Sequence, residues 1–229
     1  MDGMYERTLS LIGEEALLKL ETSSVCIIGL GGVGSYAAEV CARSGFGTIG
    51  LVDHDTVSPS NLNRQLCALN STVGKEKTRI TAERILDINP RAKVTVHDIF
   101  LLPENVGELH LEDFDFVIDA IDNVSAKLAV AAYCHEHSVA EISVMGTGNK
   151  LRPEMLRVSD IYSTSVCPLA RAVRKQCRER GIPSLKVIYS SEEPLIKSRV
   201  PASMSFVPAC AGILAAREAV AHAAGLSLS

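Results

Sequence analysis

A glycine-rich turn follows the first apolar run of the chain, residues 25–28. The apolar run predicts a buried parallel strand, and the residues after the turn predict a helix that begins near Ser35. Glycine lets a phosphate approach the backbone closely, and the N-terminus of the helix offers free N–H groups to an anion. We therefore predict a nucleotide phosphate site formed by Gly29, Gly31, Gly32 and Gly34.

Asp53 ends the second predicted strand, Thr48–Val52, and lies 19 residues after Gly34. This spacing is typical of a carboxylate that accepts hydrogen bonds from the hydroxyl groups of a ribose. NAD, FAD, SAM and ATP all contain a ribose, so the turn and Asp53 indicate a nucleotide without identifying it. The alternative is a tight turn between a strand and a helix that binds no ligand.

The order of the predicted elements indicates the fold class. Strands and helices alternate up to residue 149, which predicts an α/β fold with a doubly wound, mostly parallel Rossmann-like sheet. After Gly148 the alternation changes, and we expect residues 156–161 to form an antiparallel strand. We therefore divide the chain into a nucleotide-binding domain, residues 1–149, and an extension of the same domain, residues 150–229.

A set of polar residues recurs in a fixed order along residues 1–149. The glycine turn and Asp53 are followed by Ser60-Asn61-x-x-Arg64-Gln65, by Lys77 and by Asp122-Asn123. In this order the residues resemble those of the ubiquitin-activating-like adenylating enzymes, which include the thiamine and molybdopterin sulfur-carrier adenylyltransferases. The resemblance implies that the chain uses ATP and Mg²⁺ to adenylate a carboxylate.

The resemblance also implies a role for each of these residues. Breaking the bond between the α- and β-phosphates builds up negative charge, which fixed cations stabilise. Arg64 and Lys77 would hold the phosphates together with Asn61, and Asp122 would act in catalysis by positioning Mg²⁺. The implied nucleotide-binding residues are Gly29, Gly31, Gly32, Gly34, Asp53, Ser60, Asn61, Gln65 and Asn123.

Arg7 adds a further similarity to these families. Their members have an N-terminal arginine, six residues before a glycine, that reaches the ATP of the other subunit, and Arg7 and Gly13 have this spacing. The resemblance therefore implies a homodimer in which Arg7 completes the partner's catalytic site. The alternative is a solvated arginine on a helix.

Charge is distributed unevenly along the chain. Residues 1–149 contain 11 basic and 21 acidic residues, a net charge of −10, whereas residues 150–200 contain 11 basic and 5 acidic residues, a net charge of +6. A basic segment in an acidic protein indicates a polyanionic partner, and RNA is the partner we expect. A solvated helix face is the alternative. The predicted RNA-binding residues share one helix face and are Arg171, Arg174, Lys175 and Arg178.

The second half of the chain indicates which branch of these adenylating enzymes the sequence resembles. Sulfur-carrier adenylyltransferases usually contain two C-x-x-C zinc pairs, and this sequence contains none. Segments 160–169 and 201–208, together with the basic helix, look like the tRNA threonylcarbamoyladenosine dehydratase branch. Members of that branch use ATP to activate the threonyl carboxylate on a tRNA adenosine, and the side chain then closes to a hydantoin with loss of water. The implied partners are tRNA and a second copy of the chain, and a sulfur-transfer or cysteine desulfurase-type partner stays open.

Two other functions remain alternatives. The first is an adenylyltransferase for a small sulfur carrier that ends in Gly-Gly, and the second is a nucleotide-binding scaffold without catalysis. The missing C-x-x-C pairs and the basic helix argue against the first function. The intact Arg64, Lys77 and Asp122 argue against the second. Cys167 precedes the basic helix, and we expect it to be structural because intramolecular ring closure needs no thiol.

Several classes of protein are excluded by composition. Seven cysteines without C-x-x-C spacing argue against a disulfide framework and a zinc knuckle. The first ten residues are polar and acidic, so we expect no signal peptide. Two prolines interrupt the apolar run 200–216, so we expect no membrane span. The expected compartment is the cytoplasm.

Overall fold

The computed structural model describes residues 3–196 and 201–228, and these residues contain a seven-stranded sheet. The strands are β1 Ser24–Ile28, β2 Thr48–Val52, β3 Lys93–His97, β4 Phe116–Asp119, β5 Ala140–Val144, β6 Leu156–Asp160 and β7 Lys186–Ser190. They lie in the order β3-β2-β1-β4-β5-β7-β6. Neighbouring strands are parallel except for β6 and β7, which are antiparallel. The predicted doubly wound, mostly parallel α/β sheet is confirmed.

The strand order reverses at β1. In the parallel pairs, Ile28 at the end of β1 lies opposite Val52 of β2 on one side and Asp119 of β4 on the other. The connections that leave β1 and β4 therefore run to opposite faces of the sheet and open a crevice between them. In doubly wound sheets such a crevice is the usual ligand site.

Seven α-helices cover the two faces of the sheet within the described residues. They are α1 Glu6–Ile12, α2 Glu14–Thr22, α3 Gly34–Ser44, α4 Lys77–Ile88, α5 Val124–Glu136, α6 Pro168–Glu179 and α7 Phe206–Ala224. Helices α2, α3 and α7 pack together on one face, with α4 beside α3, and α5 and α6 pack on the other face. No helix in the described part of the chain is both long and apolar enough to cross a membrane.

Helix α7 packs unusually close to α3. A Cβ atom added at Gly212 would lie 2.2 Å from the Val33 carbonyl oxygen. The residues of α7 that face α3 and the sheet are small, and Ala211, Ala215 and Ala219 are fully buried. The alanine-rich composition of this helix is therefore explained by its close approach to the glycine turn.

Residues 150–229 contribute to the same sheet as residues 1–149. Strand β7 pairs in parallel with β5, and β6 then pairs with β7 at the edge. The antiparallel strand predicted over residues 156–161 is confirmed as β6, with Leu156 opposite Ser190. The loop predicted over residues 192–201 includes positions 197–200, which lie outside the described residues.

The sequence also predicts a helix over residues 105–111, and the structure has only a short 3₁₀ helix there, Val106–Leu109. His110 follows it with φ 47°, in the left-handed region, and so ends the helical conformation. A second 3₁₀ helix, Leu111–Asp113, then leads to β4. The apolar spacing predicted helical backbone correctly but not the break at His110.

A buried polar network holds β4, β5 and α5 together. Lys127 of α5 is 1% exposed, and its Nζ donates to Asp119 Oδ2 at 2.9 Å and to Ser143 Oγ at 3.1 Å. Ser143 Oγ also donates to Asp119 Oδ2, at 2.6 Å. Buried charges are tolerated when each has partners, so this network is structural.

Glu141 lies near this network without a partner of its own. Its Oε2 atom is buried and makes no hydrogen bond within the described residues. Burial, with the negative charge of Asp119 nearby, raises the pKa of Glu141 to about 8, although Lys127 opposes the shift. The folded protein therefore keeps the proton on Glu141 at pH values where the unfolded chain has lost it.

We expect the stability of the protein to fall as pH rises from about 4.5 to about 8 because of Glu141. Above the unfolded pKa, folding requires a proton to bind, which costs up to about 1.4 kcal/mol per pH unit. Glu141→Gln removes this cost, so its gain in Tm over the wild type should increase from pH 5 to pH 8 and then level off. The exposed Glu136 provides the control, since the Tm of Glu136→Gln should follow the wild type at every pH. An equal Tm difference at pH 5 and pH 8 would contradict the assignment.

Candidate functional site

The glycine turn lies at the carboxyl end of β1, at the crevice. Gly29 has φ 88°, in the left-handed region that favours glycine. A Cβ added at Gly34 would lie 1.7 Å from the Gly29 carbonyl oxygen, so α3 can begin here only with glycine. The N–H groups of Gly31 and Gly32 have no backbone partner within the described residues. The turn therefore presents free donors at the start of a helix, which is an anion site.

Asp53 connects this turn to the end of β2. Its Oδ2 accepts a hydrogen bond from the Leu30 N–H at 2.6 Å, and its Oδ1 accepts one from the Asp55 N–H at 2.9 Å. The side chain is 7% exposed and lines the cleft. Two backbone donors thus fix the carboxylate, and its remaining lone pairs can accept from a ribose.

Lys77 begins α4 and reaches the same carboxylates. Its side chain is 5% exposed, and its Nζ lies 2.6 Å from Asp55 Oδ2 and 3.9 Å from Asp53 Oδ2. Partial burial raises the pKa of Asp55, but its hydrogen bond to Lys77 and the charge of Lys77 bring that pKa below its ordinary value. The structure thus holds a buried cation beside the cleft, paired with a half-exposed carboxylate.

Arg64 lies in the loop that connects β2 to α4. A 3₁₀ helix, Pro59–Asn61, shapes this loop, and Asn61 Oδ1 accepts from the Ser58 N–H at 3.0 Å. Arg64 Nη1 donates to the Ser60 carbonyl at 2.9 Å. The Arg64 side chain lies beside the glycine turn, since its Cγ would be 3.3 Å from a Cβ added at Gly32. Two of the predicted residues, Asn61 and Arg64, therefore line the cleft together with the turn.

Gln65 is buried beneath the turn. It is 7% exposed, its Nε2 lies 3.8 Å from a Cβ built on Gly31, and its Oε1 has no partner among the described residues. An unpaired amide oxygen in a cleft is a group that a ligand or water can satisfy. Two other predicted nucleotide residues, Gly34 and Ser60, are absent from the cleft lining, because Gly34 packs on Gly29 and the Ser60 hydroxyl bonds to Ser58 Oγ.

Asp122 and Asn123 follow β4 and line the cleft at the opposite side of the crevice. Asp122 is exposed, with no ion pair within the described residues. Asn123 caps α5, because its Oδ1 accepts from the N–H groups of Ser125 at 3.0 Å and Ala126 at 3.2 Å. The side-chain oxygen of Asn123 is therefore engaged in the helix cap, and the carboxylate of Asp122 is the group that faces solvent.

Carboxylate oxygens suitable for a metal ion lie in two places. Asp122 offers an exposed carboxylate at the rim of the cleft. Asp53, His54 and Asp55 have ligand atoms within 4.8 Å of one another. Carboxylate oxygens are the ligands that Mg²⁺ takes in proteins, usually together with substrate phosphates. The exposed Asp122 fits this description better than Asp53 and Asp55, whose oxygens already bind backbone donors and Lys77.

An apolar wall completes the cleft near β2 and β3, and sequence reasoning missed it. Residues 99–101 line the cleft, and Phe100 meets the His54 ring edge-on with ring centres 4.5 Å apart. Ile28, Val52 and Ala126 lie on the same lining. The four consecutive apolar residues after β3, positions 99–102, were the available signal. The whole cleft encloses about 710 Å³, enough for a nucleotide.

A second wall lies at the β5 end of the cleft. It consists of the loop after β5, residues 146–148, and of residues on segments from the second half of the chain. Those residues are Leu169, Pro201, Ser203 and Pro208. Since β3 and β5 lie on opposite sides of β1 and β4, the apolar wall and this second wall are at opposite ends of the cleft. Residues from both predicted parts of the chain thus form the cleft.

The predicted RNA-binding residues lie on α6, but they differ in their contacts. Arg174 is half-buried, and its Nη1 donates to the Thr164 carbonyl at 2.8 Å and to Thr164 Oγ1 at 2.7 Å. The Arg178 guanidinium lies 5.3 Å from the ring centre of Tyr162. Arg171 and Lys175 are exposed. Two residues of the face therefore contact the preceding loop. The other two are exposed, with Lys175 Nζ 3.7 Å from Glu179 Oε1.

Two further residues are not among those that line the cleft. Arg7 is exposed on α1 and does not line the cleft. Cys167 is 3% exposed and packs in the core beside α6, as expected for a structural cysteine.

Comparisons with known proteins agree with this geometry. The model of the ThiF family matches residues 5–227. A tRNA threonylcarbamoyladenosine dehydratase of Bacillus subtilis is 38% identical over 229 residues, covering 92% of this chain and 90% of the relative. The crystal structure of the E. coli tRNA N6-threonylcarbamoyladenosine dehydratase in complex with AMP is similar over 98% of this chain and 96% of that chain, with a TM-score of 0.92 and 34% identity. Its complex with ATP has a TM-score of 0.92 and 34% identity, over 97% of this chain and 94% of that chain. Because the family model covers nearly all of its residues, the chain belongs to the ThiF family.

Proposed function

We propose that this protein is an ATP-dependent tRNA threonylcarbamoyladenosine dehydratase. It activates the carboxylate of N6-threonylcarbamoyladenosine in tRNA and cyclises the side chain to the hydantoin. The observation that carries this proposal is the cleft at the reversal of the strand order, which combines a free-donor glycine turn with Arg64, Lys77 and Asp122. The similarity to dehydratases along almost the full chain supports the same assignment.

The cleft suggests how ATP is held. The adenine lies against the apolar wall of residues 99–101, and Asp53 accepts hydrogen bonds from the ribose hydroxyls. The phosphates then reach the N–H groups of the glycine turn and the cations Arg64 and Lys77. Gln65 supplies an unpaired amide oxygen beneath the turn.

The reaction needs charge stabilisation more than covalent catalysis. The substrate carboxylate attacks the α-phosphate of ATP and releases pyrophosphate, and ring closure on the activated carbonyl then releases AMP. Arg64 and Lys77 stabilise the charge that develops on the phosphate oxygens. Mg²⁺, held at Asp122, would add positive charge at the leaving pyrophosphate.

Lys77 is paired with Asp55 and must also contact the phosphates of the nucleotide. Its Nζ is paired with Asp55, whose side chain is 50% exposed. A phosphate that approaches Lys77 therefore meets a cation already desolvated and held in place by a carboxylate at the edge of the cleft. The pair keeps Lys77 oriented when no phosphate is bound, which lowers the reorganisation needed for catalysis.

The alternative acceptor is the C-terminal carboxylate of a small sulfur carrier. Both acceptors are carboxylates, so the phosphate-binding half of the cleft suits either. The exposed Arg171 and Lys175 and the lack of C-x-x-C pairs favour tRNA. A tRNA substrate also agrees with a cytoplasmic location.

The reaction itself provides the direct test. Purified protein with ATP, Mg²⁺ and tRNA that bears N6-threonylcarbamoyladenosine should produce a nucleoside lighter by the mass of one water, measured by mass spectrometry. If the protein leaves the tRNA unchanged but adenylates a carrier that ends in Gly-Gly, the sulfur-carrier function is correct instead.

Asp122→Asn should lower turnover by about 100-fold or more, because it removes the charge that holds the metal ion at the pyrophosphate. Asp122 is exposed at the end of β4, so the Tm should stay close to that of the wild type. Glu104→Gln, at another exposed acidic residue, should keep full turnover. Normal turnover of Asp122→Asn would remove Asp122 from the mechanism.

We also propose a homodimer in which Arg7 completes the site of the partner. Arg7→Ala and Asp122→Ala should then each be inactive alone, yet regain activity when mixed and allowed to exchange subunits. About a quarter of wild-type activity is expected, because half of the randomly mixed dimers are heterodimers and each heterodimer has one intact site. A mixture that stays inactive, while exchange is confirmed by a tagged subunit, would show that Arg7 acts within its own chain or not at all.

The exposed part of the α6 face should bind tRNA through phosphates. Arg171→Glu/Lys175→Glu should weaken tRNA binding several-fold and flatten the slope of log K against log salt by about 1.5, since two phosphate contacts are lost. ATP affinity should be unchanged. Arg79→Glu/Lys93→Glu provides the same change in net charge on the exposed surface near α4 and β3. Equal tRNA binding by both double variants would mean that RNA recognises another surface.

A further inference from the structure

Asn63 joins two parts of the cleft lining that are distant in sequence. Its Oδ1 accepts a hydrogen bond from Arg64 Nη1 at 3.0 Å, and its Nδ2 donates to the Ser203 carbonyl at 2.9 Å. Arg64 and Ser203 both line the cleft, whereas Asn63 does not. An exposed side chain thus uses both ends of its amide to connect two residues that line the cleft.

The segment that Asn63 reaches is also held by a second asparagine. Asn149 Oδ1 accepts from the Ala202 N–H at 2.8 Å, and the Asn149 N–H donates to the Ala202 carbonyl at 2.6 Å. Asn149 has φ 60°, a conformation that asparagine tolerates better than most residues. It directly follows residues 146–148 of the second wall. We call this wall the substrate-side wall, because under the proposed function the substrate carboxylate lies there, and it is linked to Ala202.

Residues 201–203 are therefore fixed from two directions. Pro201 packs on Gly148, where an added Cβ would lie 2.6 Å from the Pro201 Cβ. Further along, Pro208 of α7 lies beside the glycine turn, 3.2 Å from a Cβ built on Gly32. The substrate-side wall is thus tied to the phosphate site through the backbone of α7 and through the side chain of Asn63.

The contacts of Arg64 show what Asn63 controls. Arg64 Nη1 has two acceptors, the Ser60 carbonyl at 2.9 Å and Asn63 Oδ1 at 3.0 Å. Its Nη2 and Nε have no partner among the residues that the structure describes. Two acceptors on one nitrogen restrict the rotation of the planar guanidinium and leave its other donors for a phosphate.

We propose that Asn63 is a positioning residue that holds Arg64 in register with the substrate-side wall. The α-phosphate and the incoming carboxylate must meet in line, and an error of about 1 Å can cost about 100-fold in rate. Asn63 sets the distance between Arg64, which contacts the phosphate, and the wall at which the substrate carboxylate lies. This inference rests on the proposed function, because it assumes that a carboxylate substrate occupies that wall.

Two substitutions separate the two contacts of Asn63. Asn63→Ala removes both contacts, whereas Asn63→Asp keeps an acceptor for Arg64 and loses the donor to Ser203. We expect both variants to lower kcat by about 10-fold or more, with the KM for ATP within about 3-fold of the wild type. The exposed Asn70 has no side-chain hydrogen bond within the described residues, and Asn70→Ala should behave as wild type.

A double-mutant cycle adds a second measurement. Asn63→Ala and Asn149→Ala release the same segment, so their combined effect on kcat should be clearly smaller than the product of the single effects. Asn63→Ala combined with Asn70→Ala should give the product. The Tm of each variant shows whether a loss of kcat reflects unfolding.

Several outcomes would overturn the proposal. Wild-type kcat in both Asn63 variants would do so. Normal kcat in Asn63→Asp alone would also do so, because it would show that only the contact with Arg64 matters and not the contact with Ser203. A change confined to the KM for ATP would assign Asn63 to nucleotide binding. If the wild type itself fails to dehydrate the tRNA, the proposed function is wrong. The contact between Asn63 and Ser203 is then tested by hydrogen exchange. Exchange should be faster for residues 201–206 in Asn63→Ala than in Asn70→Ala, and equal exchange would refute the contact.

Discussion

The close approach of α3 to the end of β1 is the constraint on which the rest of the site depends. No side chain fits at Gly34, because a Cβ would lie 1.7 Å from the Gly29 carbonyl oxygen. The turn is also bonded to both neighbouring strands. The Gly29 N–H donates to the Val52 carbonyl at 2.7 Å, and the Ala120 N–H donates to the Ile28 carbonyl at 2.8 Å. These bonds align the ends of β1, β2 and β4, which carry the residues that face the cleft.

The second half of the chain supports this turn from the other side. Helix α7 approaches it so closely that a Cβ at Gly212 would lie 2.2 Å from the Val33 carbonyl oxygen. The segment before α7 contributes Ser203 to the cleft, and β7 extends the sheet next to β5. The cleft is therefore complete only when residues from both halves are in place, even though all of the expected nucleotide residues precede residue 149.

Two buried lysines differ in how their charges are satisfied. Lys127 is surrounded by Asp119 and Ser143, which are both buried, so its charge is satisfied inside the protein. Lys77 is nearly as buried and lies 3.9 Å from the buried Asp53, but its nearer partner Asp55 is half-exposed at the cleft. Burial makes an ion pair strong only where both partners are shielded from water. Lys77 thus lies at the edge of the cleft with a half-exposed carboxylate partner, whereas Lys127 is enclosed by buried partners.

The sequence by itself determined the α/β fold class, the glycine turn and the polar set that follows it. Apolar runs and turn residues determine local structure, and the spacing of the glycines between a strand and a helix can be recognised from the sequence alone. The sequence did not predict that Asn123 caps α5, that Arg174 holds Thr164, or that Asn63 reaches Ser203. It also missed the apolar wall of residues 99–101 and the break at His110. Only the tertiary structure decided these points, because each depends on which partner the folded chain brings within hydrogen-bond or van der Waals distance. Asn63 and Ser203 are 140 residues apart in sequence, and no local sequence pattern shows that folding brings them into contact.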